Sequence, residues 1–529
     1  MAFYQRKPDI IIRGGTIVDG TGKLPYFADI AIIGDKIDYI GNLKGVSAPL
    51  EIDAHHKYVT PGFIDSHTHS DHTIFKYPDC QSAVYQGITT QIVGNCGLMV
   101  PLAKPDENGI YPKGTMSGML DKLEEIGASL NTAWLCGHNA LREIANLHTT
   151  DYTEEQFRIM ADFLKEALEA GYIGFSTGLE FDPGVVSRPE EVERLAQMVV
   201  EYDGNYASHM RDEGYYILEA ISEFLNVIRK TGLRGTVSHL NVKYDNGVPN
   251  DYLFKGIQML KDARDIESLN VYCDMLPNCF APGGAMAMLP AWLRADGWDK
   301  ARQILADPAG REKVKNDLDR YWRFLARGQW DRIQYITCNH IPGVSETPFA
   351  ELCAQWGKEP VDVFLDVFMT APDLAAANAI EIQGIVFHEQ ILIDSVVTDP
   401  LYMWQTDSKV FDDQPGNGGT IIDFMSMTHF FARYVRDLGA ISIQDAVKKV
   451  GSIPAQHYML EGRGVLEAGK YADINIFNLY ELKENATFSD PCHYSSGMDY
   501  VIVNGTPVIA NGRHTGARSG KVLRHLPKK

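Results

Sequence analysis

No stretch of the sequence approaches the ~18 uninterrupted apolar residues of a membrane-crossing helix, so none is expected. The opening MAFYQRKPDIII lacks an apolar h-region before a small-residue cleavage site, so it does not read as a signal peptide. Cysteine is sparse: eight in 529 residues, without a framework of spacings. A disulfide scaffold is thereby excluded, and reduced thiols in the cytoplasm are expected. The 47 glycines and 25 prolines follow no triplet period, which rules out collagen-like and low-complexity chains. Basic residues are outnumbered, with 49 Lys+Arg against 69 Asp+Glu and a net charge of −20. A surface that negative repels phosphate backbones and anionic lipid, so neither nucleic acid nor membrane is an expected partner.

What is present is the composition of a folded protein with a large core, 45% hydrophobic and 22% charged. The first 60 residues read as strands and turns, in DIIIRGGTIVDGTG, ADIAIIGDKIDYIG and HHKYVTPG. The far end looks the same, in KYADINIFNL and DYVIVNGTPVIANGR. Neither end buries a core alone, so the two are expected to pair. In the middle, helical segments alternate with short apolar strands. Thr153 to Gln156 is a capping-box pattern opening a helix that stops near Gly171, and Ser187 to Glu190 is another, with an end near Gly204. Such alternation means a parallel sheet covered by helices, an α/β fold.

The strands in order are GFIDSHTH (62–69), TTQIVGNC (89–96), TAWLCGHN (132–139), YIGFSTGLE (172–180), NYASHM (205–210), GTVSHL (235–240), NVYCDML (270–276) and LYMWQTD (401–407). Eight is the number that closes a (β/α)8 TIM barrel. Each ends in a residue capable of chemistry: His67 and His69, Cys96, His138, Glu180, His209, His239, Asp274 and Asp407. In a barrel those ends meet on one face, where sites are built. Any one of these residues alone reads more simply as a core histidine or a buried thiol. The expected boundaries are 1–60 and 456–529 for the two terminal β parts and 61–455 for the barrel. An insertion at about 277–345, within the long gap before strand eight, is expected to cover the site.

His67 and His69 are two apart, so both imidazoles can face one cation. Cys96 in GNCG, with His209 and His239 after their serines, makes three ligands suited to Zn²⁺, leaving a fourth position for water as in catalytic sites. His67 and His69 either complete that site or hold a second metal. A carboxylate at Asp407 can shuttle a proton beside the metal, its plainer role being a helix cap. Asp274, Asp394 and Asp399 are weaker candidates.

Together the ends and the metal motifs resemble the amidohydrolase superfamily, and its D-aminoacylase branch (N-acyl-D-amino-acid deacylases) in particular. The resemblance is carried by IRGGTIVDGTG, VTPGFIDSHTHSD, GNCG, GHNALR, GFSTGLEFDPG, SHMRDEG, SHL, RGVLEAGKYADINIF and VIVNGTPVIANGRHTGARSGKVLR, which span nearly the whole chain. It implies a (β/α)8 barrel flanked by a small β-sandwich made from both termini. It implies a tight zinc on Cys96, His209 and His239, a weaker or optional second site at His67 and His69, and Asp407 as general base and acid. The implied reaction is hydrolysis of an amide C–N bond by zinc-activated water. Strand four runs from Gly174 to Gly178 without a lysine, unlike branches that bridge two metals with a carbamylated lysine.

The departures from the branch lie in the substrate pocket. Its H-P-R and F-P-R motifs, whose arginine holds a substrate carboxylate, are absent: no Arg occurs between Asp407 and Arg433. Tyrosines common after strand seven are Leu276 and Asn278, the lysine after strand six is Asn241, and E-Y-P-P-G reads Glu180-Phe181-Asp182-Pro183-Gly184. The substrate is therefore expected to be an atypical small-molecule amide. His138, Arg211, Lys243 and His429 are candidates to bind it, and Arg211 is one replacement for the lost clamp. The alternatives are a cyclic amidase that opens a ring C–N bond and a non-catalytic binding protein on the same fold. Homo-oligomer formation is left open by the sequence.

Overall fold

The computed structural model describes residues 4–107, 109–241, 251–294, 297–318, 324–325, 327–345 and 347–526. Eight parallel strands make one sheet: β1 (Phe63–Asp65), β2 (Ile88–Val93), β3 (Asn131–Gly137), β4 (Gly174–Gly178), β5 (Asn205–His209), β6 (Arg234–Val237), β7 (Val271–Met275) and β8 (Tyr402–Trp404). They neighbour one another in chain order. Just beyond their ends the first and last strands meet. Thr68 and Ser408 form a parallel bridge, His69 N–H donates to the Ser408 carbonyl at 2.8 Å, and Asp407 N–H donates to the His67 carbonyl at 3.1 Å. Beneath this seam the buried Asp65 carboxylate accepts the Thr406 N–H at 3.0 Å and its hydroxyl at 2.5 Å. The sheet thus closes as a barrel at the end where strand-end side chains gather.

The barrel is filled rather than hollow. Ile64, Ile92, Leu135, Ile173, Ala207 and Met403 pack inside it, each 1% exposed or less. Ala455, Tyr458 and Leu460 join the same cluster from a helix, Ser452–His457, and the turn after it. Outside, the helix Glu154–Ala170 has its capping box at Thr153 and Gln156 and ends at Gly171 with φ 103°, as its sequence predicts. The next helix departs from expectation. It spans Pro189–Val200 with Arg188 as N-cap, and the Ser187 hydroxyl donates back to the Gly184 carbonyl at 2.6 Å. Pro189 at the first helical position already has the φ a helix needs and lacks the N–H a cap would satisfy.

The two ends of the chain build one nine-stranded sheet. Its junction is the antiparallel pairing of Tyr58–Pro61 with Ile474–Phe477. Ile10, Ile12, Ile30, Ile32, Val59, Ile474, Ile476 and Ile502 are buried in its core, so strands from both termini supply one apolar layer. Between β7 and β8 the chain makes a long excursion. It holds a three-stranded antiparallel sheet in which Glu381–Ile385 lies between Phe280–Gly284 and Ile333–Thr337. Among the described residues no helix is long and apolar enough to cross a membrane. All eight cysteines are free thiols.

At the barrel floor His457 is 2% exposed. The Thr236 hydroxyl lies 2.8 Å from its Nε2, and its Nδ1 lies 3.2 Å from Asn270 Oδ1. The Tyr458 hydroxyl donates to Thr236, which directs the threonine proton onto the ring. Burial, helped by the charge of Arg234, pushes the imidazole down to about 3 from an ordinary 6.5. The unfolded chain therefore takes up a proton that the folded chain refuses, and stability falls as pH drops from 6.5 toward 3 by up to ~4 kcal/mol. Replacing His457 with Gln is expected to flatten the fall in Tm between pH 6.5 and 4, measured by thermal melts across that range.

Candidate metal centre

Five residues predicted as ligands come together at the carboxyl ends of the barrel strands. Cys96 Sγ lies 3.3 Å from His67 Nε2, 3.4 Å from His239 Nε2 and 3.9 Å from His209 Nδ1. His209 Nδ1 and His239 Nε2 are 3.0 Å apart. Asp407 Oδ1 sits 3.2 Å from His69 Nε2 and 3.4 Å from His67 Nε2. The ligand atoms of His67, Cys96 and His239 lie within 4.8 Å of one another, as do those of His67, His69 and Asp407. The two groups share His67, which makes the site a single continuous cluster.

The outward nitrogens of the two strand-end histidines are held by carboxylates. His209 Nε2 lies 2.9 Å from Glu180 Oε2, and His239 Nδ1 lies 2.6 Å from Glu213 Oε1. A proton on each carboxylate-facing nitrogen leaves the inner pair as two bare acceptors 3.0 Å apart. Two acceptors at that distance repel unless a cation stands between them and the thiol. The donor set, one sulfur and several imidazoles with carboxylates behind them, is the set zinc takes. Glu213 was not singled out from the sequence, although it stands four residues after His209 in the SHMRDEG stretch. Asp274 proves to be a support. It accepts the His239 backbone N–H at 2.7 Å and stands 3.5 Å from His67 Nδ1.

Burial works against charge here, and the neighbours overcome it. Burial would raise the Cys96 thiol, yet the imidazoles of His67, His239 and His209 around it hold it well below its usual range. Asp407 is likewise pushed up by burial but brought below the ordinary carboxylate range by its hydrogen bond to His69 and the charges of His67, His69 and His239. Cys96, His239 and Asp407 also have φ values of 52°, 33° and 53°, in the left-handed region that side chains avoid. Three such residues in one cluster mark a place where function has been preferred to backbone comfort. Gly178 on β4 allows the tight fit: a Cβ there would lie 2.0 Å from the Cys96 carbonyl oxygen.

The predicted substrate-binding residues are placed differently. His138 is fully buried, with Nε2 2.7 Å from Glu191 Oε1, so it faces a structural ion pair and not the expected substrate. The Arg211 guanidinium is taken by Glu223 at 2.9 and 2.8 Å. His429 Nδ1 lies 3.0 Å from Glu484, outside the cluster. Lys243 lies outside the described residues. Asp394 accepts from Gln390 and Asp399 pairs with Lys261, so neither joins the cluster.

The group around His138 makes a prediction of its own. Arg142 Nη1 donates to both Glu191 oxygens at 2.7 and 2.6 Å, and all three side chains are fully buried. Burial would raise the Glu191 carboxyl, but His138 and Arg142 bring it below its ordinary value. Glu191→Ala strands a buried guanidinium and is expected to cost ~3–5 kcal/mol, seen as a lowered Tm.

The sequence matches the Amidohydrolase family over residues 50–509. It is 30% identical to the D-aminoacylase of Alcaligenes xylosoxydans xylosoxydans over 536 residues, 97% of each chain. It is 28% identical to the N-acyl-D-glutamate deacylase of the same organism, over 98% of this chain and 97% of that one. The crystal structure of the N-acyl-D-glutamate deacylase from Bordetella bronchiseptica, in complex with zinc and a phosphonate inhibitor, superposes with a TM-score of 0.80 at 27% identity, covering 98% of this chain and 100% of the other. With the barrel, the two-ended sheet and this extent of likeness, the chain belongs to the amidohydrolase family, on its D-aminoacylase branch, among the hydrolases of carbon–nitrogen bonds other than peptide bonds.

Proposed function

We propose that the protein is a zinc-dependent amidohydrolase that cleaves an amide C–N bond of a small molecule lacking the usual free carboxylate. The observation that carries this reading is the convergence of Cys96, His209 and His239, with two imidazole nitrogens 3.0 Å apart facing one thiol. These three would hold the tight zinc, and His67 and His69 a second, weaker one. A divalent zinc supplies Lewis acidity, polarising a carbonyl and acidifying water. Glu180 and Glu213 fix the tautomers of His209 and His239 and so aim their lone pairs inward. Asp274 holds the His239 backbone in place.

Asp407 is the general base and acid. Its carboxylate is kept ionised by His69 and His67, so it can take a proton from the attacking water. As the C–N bond breaks, the same carboxyl returns that proton to the leaving nitrogen, and the amine departs neutral. Its left-handed backbone is set by the seam, where its own N–H is bonded to the His67 carbonyl at 3.1 Å. The proposal of an atypical substrate is supported by the pairing of Arg211 with Glu223 and of Arg433 with Glu389. Both guanidiniums are already satisfied, so neither is offered to a carboxylate.

Two measurements test this reading. Asp407→Asn is expected to lower kcat by ~10²–10⁴-fold with the far-UV spectrum and Tm intact, and full activity in that variant would remove Asp407 from the mechanism. Glu213→Gln is expected to weaken zinc ~10–100-fold, read as metal lost on dialysis against a graded chelator. Zinc retention equal to wild type would show that Glu213 is only a neighbour.

A further inference from the structure

Arg211 and Arg433 are each paired with a glutamate, and so is a third cation, the one that follows Asp407 most closely in the chain. Lys409 stands two residues after Asp407 and reaches across to the excursion, where its Nζ lies 3.2 Å from Glu381 Oε1. Each side chain is 30% exposed, so the pair is half-buried and still reachable. Both ends are anchored. The Lys409 backbone N–H donates to Asp423 Oδ1 at 2.7 Å. Glu381 opens the central strand of the excursion sheet, paired with Gly284 on one side and Thr337 on the other.

The pair lies on the general-base side of the metal centre. Val410, next to Lys409, donates its N–H to the Thr73 hydroxyl at 3.2 Å, beside His72. The His72 ring is 6.0 Å from that of His69, whose Nε2 is 3.2 Å from Asp407. An ammonium alone in this position would recruit a carboxylate. With Glu381 beside it the net charge is zero, and an entering carboxylate meets a repulsion comparable to its attraction. What such a pair does offer is a donor and an acceptor side by side. That matches a group with a carbonyl oxygen and an N–H on one edge, as in a primary carboxamide, a ureide or a lactam.

We propose that the Lys409–Glu381 pair is a substrate subsite that reads a neutral amide group, Lys409 donating to its carbonyl oxygen and Glu381 accepting from its N–H. This rests on the reading of the protein as an amide hydrolase with a carboxylate-free substrate, and it names the residues that enforce that choice. Because Glu381 masks Lys409, removing the acid's charge gains an activity, and misfolding cannot imitate a gain.

The test compares kcat/KM for matched pairs, N-acetyl D- and L-amino acids against their carboxamides, in the zinc-loaded wild type and in Glu381→Gln, Lys409→Met and Lys409→Arg. Wild type is expected to favour the carboxamide. Glu381→Gln is expected to shift the ratio toward the free acid by about tenfold or more, since it unmasks the ammonium. Lys409→Met is expected to lose about tenfold on the carboxamide, and Lys409→Arg to recover most of that loss. If wild type favours the carboxamide and Glu381→Gln leaves the ratio where it was, the subsite assignment is overturned while the hydrolase reading stands. If wild type favours the free acids, or turns over neither member of any pair, the carboxylate-free reading fails and the subsite falls with it.

Discussion

The site depends on the seam where the barrel closes. Three ligand atoms, each within 3.9 Å of the other two, come from His209 at the end of β5 and from Cys96 and His239 just beyond β2 and β6, and a fourth group comes from beyond β8. Only a closed ring of strands brings the last to the first. The contacts that do so include the Thr68–Ser408 bridge, the two backbone bonds beside it, and the N–H and hydroxyl of Thr406 on Asp65. Because Asp407 N–H is bonded to the carbonyl of His67 itself, closing the barrel and seating the Asp407 carboxylate are one event. The carboxylate reaches His67 and His69 with no loop of its own to order first.

Around that ring the protein has had to place charge where water cannot reach. Burial opposes ionisation at Cys96 and Asp407 alike, and in each case the imidazoles beside it win. The compensation is mutual, so the cluster is stable as a set and costly to break one member at a time. Glu180, Glu213 and Asp274 extend it outward. This arrangement also explains why so many polar groups on the barrel's upper face are fully buried.

Much of this was legible in the chain. All eight barrel strands could be found because each is a short apolar run between turn residues that stops at His, Cys, Asp or Glu. Convergence of those ends then followed from the fold. What the sequence concealed are partnerships between distant residues. His138 has the same signature as His209, a histidine at the end of a strand, but Glu191 stands 53 residues away and claims it. Ser187 looks like a helix cap until Pro189 is given its due as the first helical residue. Lys409 is conspicuous only when Glu381 is seen beside it, and that acid belongs to a separate sheet. Local pattern reports which face a residue occupies, and not which charge waits there.

The sheet made from both ends has a consequence for how the molecule is assembled. Strands at 10–17 and 58–61 leave the ribosome long before the partner at 474–477 exists, and more than 400 residues intervene. During that interval one edge of the early sheet, beside Tyr58–Pro61, has nothing to pair with and is open to neighbours on the same polysome. Residues 520–525 then stitch onto the barrel, with Leu523 N–H on the Thr132 carbonyl at 2.7 Å and His525 N–H on that of Gly171 at 2.8 Å. Biosynthesis of this protein is thus gated late. A chain that terminates within the barrel lacks Ile474–Phe477 and keeps the edge beside Tyr58–Pro61 open, the kind of edge through which strands of different chains pair.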